Sequence, residues 1–94
     1  MASEAFQLDV MELLQKHYPR STKGSIEDNA GAASDLAVVL GAMLAFSFRL
    51  NGEVVSRTVL EAVIKGILEN AAGIDASCET FLRQEFSRLA ATSH

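Results

Sequence analysis

The sequence predicts an all-α, four-helix bundle-like single domain completed by homodimerisation. Three observations lead there. Residues 36–48 (L-A-V-V-L-G-A-M-L-A-F-S-F) run for 13 positions without a charge, between Asp35 and Arg49. The rest of the chain carries apolar residues at helical spacing. The composition is 49% hydrophobic and 21% charged, with no Trp and a single Pro. That balance describes a folded chain rather than a disordered one, and its Ala- and Leu-rich character favours helices.

The first helix is expected over about 3–18. Phe6, Val10, Leu13, Leu14 and His17 fall on one stripe, with Leu8 and Met11 at its edges. Glu4, Gln7, Asp9, Glu12, Gln15 and Lys16 mostly lie elsewhere. Ser3 suits an N-cap, and Glu4 suits the positive helix end. Pro19 stops the helix by restricting Tyr18 and lacking a donor.

A loop, P-R-S-T-K-G, follows. It is the most basic part of the chain, with Lys16, Arg20 and Lys23 close together. Ser25 then opens a second helix over about 26–50. S-I-E-D has the form of a capping box with Asp28 at the reciprocal position. Gly31 is a weak point, so a separate turn before a helix starting near Ala32 is the alternative.

The centre of this helix organises the chain. Ala33, Ala37, Gly41 and Ala45 form a ridge of small residues that allows a close helix approach. Leu36, Val39, Leu40, Met43, Leu44, Phe46 and Phe48 fill most of the remaining circumference. A helix apolar all round is normally buried all round. A chain of 94 residues has few other helices to surround it. A second copy is therefore expected to complete the burial, with Ala33, Ala37, Leu40, Gly41, Met43, Leu44, Ala45 and Phe48 as the interface. A monomeric bundle with a very apolar central helix is the competing arrangement. A membrane span needs about 20 apolar residues, so none is expected here.

Asn51–Gly52 is a stop signal. The third helix is expected over about 53–70. Glu53, Arg57, Glu61, Lys65 and Glu69 recur every fourth residue with alternating sign, and Glu53–Arg57 and Glu61–Lys65 have the favourable orientation. The other side carries Val55, Val59, Ala62, Val63 and Ile67. A glycine C-cap is expected within 71–74. Asp75 or Ser77 caps a fourth helix over about 76–91, striped by Cys78, Leu82, Phe86 and Leu89, with Glu79–Arg83 as an ion pair. Residues 92–94, ending in His94, should fray.

Charge and composition narrow the function. The net charge is −4 and the pI about 5.0, which disfavours nucleic-acid binding. The start M-A-S-E-A-F-Q-L-D has neither a basic region nor a long apolar run, so no secretory signal is expected. Cys78 is the single cysteine and fits a reducing compartment. The expectation is a cytoplasmic protein without a cofactor.

Five residues merit a chemical reading. His17 lies on the apolar stripe without a second ligand at helical spacing, so it reads as a core-edge histidine with one hydrogen bond rather than a metal ligand. Cys78 sits in a first helical turn, where a thiol can be activated, but also on a packing stripe. Asp35 reads as solvated or as favourable near a helix start; if buried, it needs a partner. Arg20 and Lys23 lead into a helix N-terminus and could face an anion, yet the loop lacks the phosphate-loop pattern and reads as a solvated basic turn. The leading functional expectation is a non-enzymatic protein-interaction or regulatory module acting as a homo-oligomer, whose partner is itself or another protein. The alternative is a binder of a small apolar ligand in a cavity lined by Leu40, Met43, Leu44 and Phe48. An enzyme built on His17, Cys78 or Asp35 is the least supported reading.

Overall fold

The computed structural model describes residues 3–92, and of Ser3 the backbone alone. The cap expected from the Ser3 side chain, and His94, lie outside the described residues. The chain is all-α: among the described residues there are three helices and no strand. They are α1 (Ser3–His17), α2 (Ile26–Ile74) and α3 (Ala76–Thr92).

The helix count is three, where four were expected, and the reason is local. Asn51–Gly52 does break the helix, but by one residue only. Gly52 takes φ 78° and ψ −174°, and helical geometry resumes at once, so α2 extends over 49 residues. That backbone region is essentially open to glycine alone. The second expected stop moves as well. Gly73 does not adopt positive φ, and α2 continues to Ile74. Asp75 ends it and starts α3. Its carboxylate accepts from the Ser77 N–H at 3.0 Å and from the Ser77 hydroxyl at 2.6 Å. Asp75, not Ser77, is therefore the N-cap of α3. Thr92 remains helical, its hydroxyl donating to the Leu89 carbonyl at 3.1 Å.

The α1 end and the α2 start follow the sequence more closely. The Tyr18 N–H donates to the Leu14 carbonyl at 2.7 Å before Pro19 ends the run. Helix α2 starts at Ile26 and passes through Gly31. The Ser25 hydroxyl caps it by accepting from the Asp28 N–H at 3.1 Å. The reciprocal half of the capping box is replaced. The Asp28 side chain, one methylene shorter than Glu, accepts instead from the Arg20 N–H in the loop at 3.0 Å. The Asn29 amide donates to the Ser21 carbonyl at 3.0 Å. Further backbone bonds join Ser21 to Tyr18, and Lys23 and Ser25 to Arg20. Gly24 supplies the positive φ of 93° that the turn requires.

The chain divides into two compact units, Met1–Met43 and Leu44–His94. Unit 1 is a hairpin of α1 and the first part of α2. Its buried hydrophobic residue is Ala32, at 6% exposure. Unit 2 holds the remainder of α2 with α3, and its buried hydrophobic residue is Leu68, also at 6%. The expectation that the helix centre is enclosed is not met within the chain. Leu36 is 45% exposed, Val39 61% and Met43 54%. In unit 1 two helices can cover only one side of each other, and no further layer is supplied.

The surface ion pairs differ in part from expectation. Glu79 pairs with Arg83 at 3.1 Å, as the spacing suggests. Lys65 pairs with Glu69 at 3.8 Å rather than with Glu61, and Glu53–Arg57 does not form. Exposed pairs of this kind differ by a few tenths of a kcal/mol at about 0.2–0.5 kcal/mol each, so spacing alone does not choose between them. Arg88 and Glu85 add a pair at 2.8 Å. By length and composition, α2 is long and apolar enough to cross a membrane.

Candidate functional site

The most developed concave feature of the described residues lies wholly within unit 1. Helix α1 contributes Phe6, Val10, Leu13, Leu14 and His17, the same stripe that its periodicity defines. Helix α2 contributes Ala32, Asp35, Leu36, Val39, Leu40 and Met43, and Tyr18 closes the loop end. Together they line an open groove of about 820 Å³. Nine of these twelve lining residues are aliphatic or phenylalanine, and the polar three (His17, Tyr18 and Asp35) gather towards the loop end.

The loop end is organised around Tyr18. Its hydroxyl donates to the Asp35 carboxylate, linking positions 17 residues apart in the chain. The ring lies against Gly31, one helical turn before Asp35. A Cβ at position 31 would come within 2.7 Å of the ring Cε1 atom. Gly31 is therefore the opening that lets the tyrosine reach across to α2. The carboxylate acceptor holds the Tyr18 phenol above its ordinary titration range, with partial desolvation and the charges of Asp35 and Asp28 acting in the same direction.

The sequence-derived candidates divide accordingly. Leu40 and Met43 line the groove. Ala33, Ala37 and Gly41 are exposed on α2 of the same unit, and nothing lies within 4 Å of a Cβ built at Gly41. Leu44, Ala45 and Phe48 belong to unit 2 and take no part in this groove. The cavity expected from Leu40, Met43, Leu44 and Phe48 is thus corrected to one shared by α1 and α2, because Leu36, Val39 and Leu40 face the α1 stripe. His17 lines the groove but is exposed, and its side chain forms no hydrogen bond among the described residues. Asp35 is exposed and lies well inside α2, so it is no cap; its role here is to accept from Tyr18.

Arg20 and Lys23 stand exposed on the turn. The α2 N-terminus beside them is already occupied by the Ser25 hydroxyl and the Asp28 carboxylate, leaving it poorly suited to an external anion. A shallower hollow of about 330 Å³ is lined by Ser21, Thr22, Gly24, Ser25, Ile26 and Asn29. Cys78 is half-buried in the first turn of α3, remote in sequence from the groove and in the other unit. Among the described residues no three His, Cys, Asp or Glu side chains gather as metal ligands.

Sequence reasoning missed Tyr18. Its signal was present in the pairing of a residue just before Pro19 with a glycine and an aspartate four positions apart on α2. Compared with protein-family models, curated proteins and solved structures, the chain matches none.

Proposed function

We propose that this chain is a small, cytoplasmic, non-enzymatic helical module that works by protein association through its apolar surface, as a homo-oligomer in a regulatory or adaptor role. The observation that carries the reading is the open groove of unit 1. Its walls are aliphatic and aromatic, and its floor is shallow because only two helices form it. Patches of exposed apolar surface of this kind mark interaction sites on soluble proteins. The deciding experiment is solution mass by light scattering on a sizing column, across a dilution series. A mass near twice that of the 10.1 kDa chain supports the reading. A monomer at every concentration, with no exposed apolar surface detected by a polarity-sensitive dye, overturns it.

A second reading is favoured by one dimension. The groove volume of about 820 Å³ lies within the range of roughly 300–1,000 Å³ usual for small-molecule sites. An apolar ligand lying along Leu13, Leu36 and Val39 would meet polar groups only at the Tyr18–Asp35 end. Displacement of a bound apolar dye by such a ligand, at one site per chain, distinguishes this reading from self-association.

A further inference from the structure

We infer that the occupant of the unit 1 groove is the same groove of a second copy, docked antiparallel, so that two hairpins close into a four-helix bundle. The inference rests on the self-association reading above and adds the face, the occupant and the direction.

Area gives the first argument. A compact folded chain of this mass exposes about 5,300 Å², whereas this chain exposes 7749 Å². The excess is about 2,400 Å² per chain, against roughly 800 Å² per partner in an ordinary stable interface and 1,000–2,500 Å² in obligate dimers. A second copy is large enough to remove it, and a small ligand is not.

The hairpin itself gives the second. Two helices leave one long apolar side, and a two-fold axis across it pairs that side with itself. The turn between them is fixed by the Ser25 cap, the Asp28–Arg20 bond and the Asn29–Ser21 bond. The groove walls are thus held before association, which lowers the ordering cost of docking.

Charge sets the direction. The free end of α1 carries Glu4, Asp9 and Glu12, and the loop end carries Lys16, Arg20 and Lys23. Antiparallel docking places each acidic end beside a basic end. Parallel docking would set like charges together, which disfavours it. A lipid occupant fits less well. Asp35 and Arg49 bracket 13 uncharged residues, about 20 Å of helix, against a hydrocarbon core of about 30 Å.

The test uses the full chain in a Cys78→Ser background, with Ala5→Cys or Thr22→Cys carrying a spin label. Both positions are exposed and make no side-chain hydrogen bond. In mixed dimers the 5–22 pair is expected to be close. The matched 5–5 and 22–22 pairs should be further apart by an offset on the order of the ~20 Å length of α1. In parallel, Val39→Asp, at an exposed groove position, is expected to weaken dimerisation by about tenfold or more while helicity by circular dichroism is unchanged. Leu13→Asp provides the same test from the α1 wall. Close matched pairs overturn the antiparallel arrangement and leave self-association standing. A dimer insensitive to both aspartate variants overturns the choice of face. A monomer at all concentrations overturns this inference and the reading beneath it. Flotation with phosphatidylcholine vesicles, in place of a soluble dimer, assigns the face to lipid and overturns both.

Discussion

Gly31→Ala tests the contact on which the loop end of the groove depends. In an exposed helix interior, replacing Gly by Ala stabilises by about 1 kcal/mol. Gly66 offers that case: a Cβ built there meets nothing within 4 Å. At Gly31 the added methyl group would stand 2.7 Å from the Tyr18 ring, so the ring must move. Forcing a methyl group into an occupied space costs about 1–3 kcal/mol, which cancels or exceeds the propensity gain. The two variants should therefore differ by about 1–3 kcal/mol, or upwards of roughly 4 °C in melting temperature for a domain of this size. The assay is thermal unfolding followed by circular dichroism and by tyrosine fluorescence. Tyr18 is the one tyrosine and the chain has no Trp, so the fluorescence reports on unit 1. Equal stabilisation of both variants, with the Tyr18 emission unmoved in Gly31→Ala, would refute the contact.

The remaining predictions concern titration and capping. The Tyr18 phenol keeps its proton above the ordinary value of 10.0 in the folded chain. As pH rises past that value the unfolded chain ionises first, so unit 1 should lose stability from there up to the raised folded value, and Asp35→Asn should move the phenolate absorbance transition downward. Asp75 behaves in the opposite sense. Its bonds to the Ser77 hydroxyl and N–H lower its pKa below 3.8. Its contribution is full above that value and is lost as pH falls through the lowered one, so Asp75→Asn should flatten the acid limb of a pH–stability profile. Ser25→Ala removes the α2 cap and should cost about 1 kcal/mol, measured by urea unfolding, with no effect expected if water replaces the hydroxyl fully. Gly52→Ala places a Cβ at φ 78° and should cost about 1–3 kcal/mol unless the helix straightens, which amide exchange around positions 51–53 would reveal.

What was legible in the sequence was what repeats or punctuates. The stripe Phe6, Val10, Leu13, Leu14 and His17 appears intact as one wall of the groove, because helical periodicity is a local property. Pro19 and Ser25 mark their boundaries for the same reason. Asn51–Gly52 marks a real break, but the sequence does not reveal that one residue suffices for it. The Tyr18–Asp35 bond left no local trace. It depends on a turn that folds back with a particular register and on a glycine that leaves space for a ring. The exposed charges of 53–69 were legible as a face but not as pairs, because alternative partners are close in energy.

The break at Gly52 also has an angular consequence. Along an uninterrupted helix each residue fixes the azimuth of every later one at about 100° per step. A stripe written early in the chain then dictates where a later stripe must point. One non-helical residue erases that phase. The code for the residues ahead of Gly52 and the code for the residues after it can therefore vary independently. Substitutions that redirect the later stripe leave the earlier one in place.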